Sequence, residues 1–303
     1  MKTVVIFGGS GFVGRHIIRR IAKIGYKIII PYQHNINESE LRFFGNTGQI
    51  IPIRFRSISE KIILNQLKSA DVIINLKTLW DEKRITYEKG IFGFNKILCD
   101  YIKNNNKNCQ LIYFSGIAID GENKSKRIRA IVKSEEYFQK NLYNSIIIRP
   151  GVMIGGNDQF LKNLLPIFKM SLFVPLLGKG EAKFQPVYVD DVSKAILKII
   201  DKSIKGQNLF ELVGTHIFSY REFYKIISSC FEKQRYLIPI PMLLIKIIVF
   251  FLQKTPFSPL NLEQLKLFET DNIANNLSKN LTDLEIYPQD LFEITRKIIK
   301  KNL

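Results

Sequence analysis

Residues 3–14 read Thr3-Val4-Val5-Ile6-Phe7-Gly8-Gly9-Ser10-Gly11-Phe12-Val13-Gly14. The short apolar, β-branched run has the pattern of a fully buried parallel strand. It leads straight into Gly8-x-x-Gly11-x-x-Gly14. Gly8 permits a sharp turn, Gly11 lets the backbone approach a pyrophosphate, and Gly14 lets the next helix pack closely on the strand. That helix is predicted from Arg15 to the residue before Gly25. Its N-terminus offers free N–H groups and the positive end of a dipole to phosphate. Ser10, Phe12, Val13 and Arg15 therefore join the three glycines as candidate dinucleotide-binding positions. A glycine triplet alone is weak evidence; its place between a strand and an amphipathic helix gives it weight.

Working outward, strands are predicted over 27–31, 49–55, 71–76, 109–115 and 145–149. Helices are predicted over 59–67, 87–104 and 130–141. Alternating strands and helices give an α/β fold of Rossmann type, a doubly wound parallel sheet with crossover helices on both faces. After Pro150 the alternation loosens, with a short strand over 186–189, a helix over 192–202 and a strand over 208–213. Ser219 and Glu222 have capping-box spacing at the start of a further helix. The expected division is a dinucleotide-binding domain over 1–150, drawing further elements from about 186–217, and a smaller interleaved C-terminal mixed α/β domain over 151–185 and 218–303.

The chain has 303 residues, with 45 Lys and Arg against 27 Asp and Glu, a net charge of +18. Its lysine, asparagine and isoleucine content is what an A+T-rich genome encodes; attraction to an anionic membrane face or an acidic partner is the alternative reading. No groove-reading motif or basic-aromatic platform accompanies the charge, so no nucleic acid partner is expected. Cys99, Cys109 and Cys230 are widely spaced, as are His16, His34 and His216. They predict free thiols in a reducing compartment and no metal. The first apolar run breaks at Gly8, which does not fit a signal peptide, and a cytoplasmic location is expected.

Four landmarks resemble the extended and atypical short-chain dehydrogenase/reductases, the NAD-dependent epimerase/dehydratase-like group. They are the Gly8/Gly11/Gly14 turn, Val72-Ile73-Ile74-Asn75-Leu76, Ile148-Arg149-Pro150-Gly151 with Gly155, and Val187-Tyr188-Val189-Asp190-Asp191. Gly11 to Arg15, Ile29 to Tyr32, Leu41-Arg42 with Gly45 and Gly48-Gln49, Gln185 to Lys194, and Pro256-Phe257-Ser258-Pro259 look most like one branch. That branch is the nucleotide-binding accessory subunit of respiratory complex I and its bacterial relatives. The resemblance implies tightly held NADPH and association with complex I subunits or another membrane-associated complex. It also implies a peripheral place on the cytoplasmic face of a bacterial inner membrane.

NADP(H) is favoured over NAD(H). The stretch Pro31-Tyr32-Gln33-His34-Asn35 has no carboxylate for a ribose 2′-hydroxyl. Arg15 offers a guanidinium fork for a 2′-phosphate. The branch usually carries a basic residue where Gln33 stands, so Gln33 marks that position here. Leu76, Ser115 and Pro150, at strand ends, and Lys133, read either as a grip on a ribose hydroxyl or as an exposed helix lysine, complete the candidate cofactor contacts.

Active members of the family use Tyr-x-x-x-Lys, in which lysine lowers the tyrosine's pKa and tyrosine moves a proton. Counting back from Arg149-Pro150 gives Lys133 as the lysine and Arg129 in place of tyrosine. An arginine stays protonated and cannot serve as that acid/base. Lys133 and Ser115 are then remnants, with no confident catalytic residue. The expected function is a catalytically silent, NAD(P)(H)-binding structural or assembly protein of complex I. The alternative is an NADPH-dependent reductase or a sugar-nucleotide epimerase/dehydratase.

Residues 236–252 form the most hydrophobic run of the chain. A helix over 242–252 is about 16 Å long at ~1.5 Å per residue, too short for a hydrocarbon core of ~30 Å. It reads either as a helix buried in the smaller domain or as a surface for a membrane interface or hydrophobic partner.

Overall fold

The computed structural model describes residues 1–119, 125–252, 261–275 and 278–302; the segment Pro256 to Pro259 lies outside the described residues. Seven parallel strands form the central sheet. They are β1 (Thr3–Phe7), β2 (Lys27–Tyr32), β3 (Ile50–Arg54), β4 (Val72–Asn75), β5 (Gln110–Phe114), β6 (Ser145–Pro150) and the edge strand Asn208–Leu212. Their order is β3-β2-β1-β4-β5-β6 and then Asn208–Leu212. The order reverses between β1 and β4, which opens a crevice at the carboxyl ends of those strands.

Side-chain alternation explains the two layers. Val4 and Ile6 join the core with Ile17, Ile18 and Ile21 of α1 (Phe12–Ala22) and with Val192, Ile196 and Ile199 further along the chain. Val5 and Phe7 join the opposite core with Ile63, Leu98 and Phe138. A strand apolar at every position suits burial on both faces. The helices of the second layer are α3 (Lys61–Lys68), α4 (Phe94–Asn105) and α5 (Lys126–Asn141), while the short α2 (Glu38–Arg42) follows β2.

The start of α5 departs from the sequence expectation. It begins at Lys126, not near Ala130, because the Ser125 hydroxyl accepts from the Ile128 N–H at 3.3 Å and caps it. Its buried stripe is Ala130, Ile131, Ser134, Glu135 and Phe138, whereas Arg129 and Lys133 lie on the exposed side.

The smaller unit contains α6 (Gln159–Met170), α8 (Tyr220–Ser228) and the helix Leu291–Asn302. Phe160, Phe184, Phe218, Tyr220 and Phe223 form its aromatic centre, with Phe184 and Tyr220 stacked at 4.6 Å. The capping box of Ser219 and Glu222 is present at α8. Two strands absent from the sequence reading, Phe173–Leu177 and Tyr236–Ile240, pair in parallel and lead into α9 (Met242–Leu252). α7 (Val189–Asp201) packs on α1 and shares its core on the first face of the sheet. Among the described residues no helix is long and apolar enough to cross a membrane.

Candidate dinucleotide-binding site

The turn after β1 is built as its glycines require. Gly8 has φ +77°, a left-handed conformation costly for other residues. The Gly11 N–H donates to the Gly8 carbonyl at 3.1 Å and closes the turn. A Cβ on Gly14 would lie 2.5 Å from the Gly9 Cα, so only glycine lets α1 sit this close to the loop. Gly11 caps α1 without a side chain, and no acidic residue occupies its first turn. The positive end of this helix, at Phe12, Val13 and Gly14, is therefore neither capped nor neutralised.

Other candidates converge on the same edge. Leu76 donates its N–H to the Phe7 carbonyl at 3.0 Å, and a Cβ on Gly8 would meet its side chain at 3.1 Å. Ser115 follows β5, and its Oγ is buried without a hydrogen-bond partner among the described residues. Pro150 ends β6. Beyond it Gly155 lies so close to Phe12 that a Cβ there would meet the ring at 3.0 Å. A bare helix N-terminus, a glycine cradle and an orphaned hydroxyl fit a dinucleotide.

At the ends of β2 and β3 the polar groups are already engaged. The Arg15 guanidinium donates through Nε to the Ser10 carbonyl at 2.9 Å and forms an ion pair with Glu40 of α2. Gln33 donates to the Arg56 carbonyl at 3.0 Å. The Tyr32 hydroxyl donates to Glu38, and this hydrogen bond raises the phenol pKa.

Two residues missed in the sequence face this crevice region. Lys77 follows β4, its ammonium 4.1 Å from the Phe94 ring centroid. Burial lowers its pKa, and it forms no ion pair among the described residues. Arg127, near the start of α5, donates to the Leu79 carbonyl at 2.9 Å and the Thr78 hydroxyl at 3.0 Å. It also stacks on Trp80 at 3.8 Å. A lysine directly after a buried strand was the available signal for Lys77. Arg127 gave none, because its role depends on the phase of α5.

That phase revises the expected relay. Lys133 pairs with Glu88 at 2.5 Å and lies over Phe92 at 4.1 Å, on the exposed side of the helix. The positions four apart on the inward side are Arg127 and the buried Ile131. Neither can exchange a proton near neutrality.

The motif Gln185 to Lys194 ties elements together. Gln185 donates to the Gly214 carbonyl at 2.8 Å and accepts from the Ala274 N–H at 3.1 Å. Its own N–H donates to the Asn272 carbonyl at 3.1 Å. Asp191, fully buried, accepts from Lys194 at 2.8 Å and from the Gln289 N–H at 2.9 Å. Asp190 pairs with Arg20 of α1 at 2.5 Å. Among the described residues no group of three His, Cys, Asp or Glu is placed to hold a metal.

Residues 4–141 match the model of the NAD dependent epimerase/dehydratase family. The chain is 28% identical to NADH dehydrogenase (ubiquinone) 1 alpha subcomplex subunit 9 of Arabidopsis thaliana, over 94% of this chain and 74% of the relative. It is 26% identical to the same subunit of Rattus norvegicus, over 94% and 76%. In fold it is similar to a dTDP-glucose 4,6-dehydratase from Bacillus anthracis in complex with NAD, with a TM-score of 0.73 at 14% identity over 100% of this chain and 97% of that one. It is likewise similar to a UDP-N-acetylglucosamine 4-epimerase from Methanobrevibacter ruminantium, with a TM-score of 0.72 at 18% identity over 99% and 97%. With its glycine cradle at the switch point, the chain matches the NAD dependent epimerase/dehydratase family over residues 4–141 and is similar over nearly its whole length to complex I subunits.

Proposed function

We propose that this chain is a dinucleotide-holding, catalytically silent structural or assembly subunit of a complex I-type NADH:quinone oxidoreductase, peripheral to the membrane. One observation carries the reading: the glycine turn leaves the α1 N-terminus open, while the inward residues of the first turns of α5 are Arg127 and Ile131, neither of them a proton donor near neutrality. A bound NAD(P)(H) has a hydride to give, but hydride transfer to a carbonyl also needs a proton at the oxygen. An arginine and an isoleucine supply none. The relatives that share nearly the whole length are complex I subunits, which supports the assembly role.

In this reading the chain's residues bind and orient. The α1 N-terminus and Gly8 to Gly14 hold the pyrophosphate, Ser115 donates to a ribose, and Arg15 meets the adenosine ribose. NADP(H) is the favoured ligand, through Arg15. Binding to the folded state alone stabilises it by about 2.7 kcal/mol at a hundred times the dissociation constant. The apolar residues of 236–252, helped by the basic excess, lie at an anionic membrane surface.

Native affinity purification from its own organism, with mass spectrometry of partners and released nucleotide, tests this. A large membrane complex and a retained NADP(H) are expected. A small free species that turns over NAD(P)H with a carbonyl or sugar-nucleotide substrate would overturn the reading.

A further inference from the structure

The ribbon of the smaller unit has one apolar outer face. Phe173 pairs with Tyr236, Pro175 with Ile238 and Leu177 with Ile240, and alternation puts these six on one side, where Leu177 and Ile240 pack beneath α9 against Ile245 and Val249 and the rest stay uncovered. Phe173 is 60% exposed, Tyr236 54% and Ile238 45%. α9 continues the surface: its inward residues are Ile245 and Val249, while Leu243, Leu244, Ile247, Ile248 and Phe251 face outward. A contiguous apolar surface of this kind marks an interaction site.

At the Tyr236 end this surface meets an open cavity of about 560 Å³. Arg221, Lys225 and Arg235 line it together with Ser228 and Ser229, and Glu232 is its sole carboxylate. The two arginines are held in place by backbone carbonyls. Arg221 donates to Lys179 O at 3.1 and 2.9 Å, and Arg235 to Phe168 O at 2.6 Å and Lys233 O at 2.7 Å. None of the three cations forms an ion pair among the described residues. Fixed guanidinium groups without carboxylate partners suit phosphate oxygens.

We propose that this cavity seats the phosphate of an anionic phospholipid whose acyl chains lie along the ribbon and α9. The proposal rests on the reading that this face meets the membrane and names the site that would select the lipid. Charge and shape decide for lipid over an acidic peptide. The cations are gathered at one end, and beyond them the outward side chains of the ribbon are apolar.

The test is sedimentation of the full chain with vesicles of phosphatidylcholine, alone or with about one-fifth phosphatidylglycerol, near 0.1 M salt. The expected result is a preference of about tenfold for the anionic vesicles. Arg221→Gln with Lys225→Gln should reduce it below about threefold and leave phosphatidylcholine binding unchanged. Lys297→Gln with Lys300→Gln, which removes equal charge from the C-terminal helix, should keep it. Thermal melts confirm that each variant is folded. Equal loss in both pairs, or no loss in the cavity pair, overturns the proposal. So does calorimetric saturation of the cavity by soluble glycerophosphate without vesicles. If the wild-type chain binds neither vesicle, the membrane reading fails with it; if it binds both equally, the headgroup site alone fails.

Discussion

Arg15 of α1 and Glu40 of α2 form an ion pair beside the glycine turn, and Ser10 holds the same guanidinium through its carbonyl at 2.9 Å. An arginine suited to a 2′-phosphate thus has a carboxylate partner already. An NADP(H) phosphate must displace or share that carboxylate, whereas the 2′-hydroxyl of NAD(H) can donate to it. Glu40→Gln is therefore expected to strengthen NADP(H) binding two- to fivefold relative to NAD(H), the scale of a half-exposed ion pair of about 0.2–1 kcal/mol. Fluorescence titration of both nucleotides measures it. An equal change for both would show that Arg15 does not meet the phosphate.

Gly14→Ala is expected to reduce dinucleotide affinity by more than about tenfold and to cost about 1–3 kcal/mol of stability. The new methyl would sit 2.5 Å from Gly9, against backbone that has no slack. Gly156→Ala is the control, since a Cβ there meets nothing within 4 Å. Urea unfolding and nucleotide titration of the two variants should separate them clearly.

Glu135→Ala should be among the most damaging single changes in the sheet domain. Its carboxylate accepts from Arg149 at 3.1 and 2.6 Å, with Glu211 on the neighbouring strand 3.7 Å from the same guanidinium. Glu135 is only 3% exposed, so its removal loses charge-assisted hydrogen bonds inside the protein, while Glu211 still faces the guanidinium, at a cost of about 1.5–3 kcal/mol by urea titration.

Stability should fall as pH drops below neutrality, in part through His16. Burial, then the charge of Arg19, lowers its pKa from 6.5. As pH falls through 6.5 the unfolded chain takes up a proton that the folded chain resists, so the balance shifts toward unfolding. Comparing urea midpoints at about pH 7.5 and 5.5, His16→Gln should show the smaller loss.

Burial pushes the Cys99 and Cys109 thiols up to about 12. Neither should react with iodoacetamide in the folded protein near pH 8, while the partly exposed Cys230 should be modified first. Peptide mass spectrometry before and after denaturation reads this directly.

The sheet was legible because its signals are local. Val4 to Phe7, the three glycines and the apolar face of α1 agree with one another over twenty residues. The phase of α5 was not legible. Lys126, Arg127 and Arg129 give its first turns little apolar periodicity, and the Ser125 cap decided the start. Counting back from Arg149-Pro150 selected Arg129 and Lys133, which lie on the exposed stripe, whereas Arg127 and Ile131 lie on the inward one. The ribbon was hidden for another reason. Each of its strands contains a proline, Pro175 or Pro239, and their parallel pairing joins distant segments that no local period can reveal. The Arg15–Glu40 pair is equally non-local.

Gln185 carries one more consequence. With its side chain and backbone it fastens the segments at Gly214, Asn272 and Ala274 to the loop beside Gly151. Asp191 anchors Gln289 to α7 in the same way. A crevice between two lobes pinned at so many points has little freedom to gape. Passage of substrate and product in each cycle would require such lobes to part, and the hydrogen bonds of Gln185 and Asp191 resist that parting. A dinucleotide held there is expected to exchange slowly, which suits the proposed structural role.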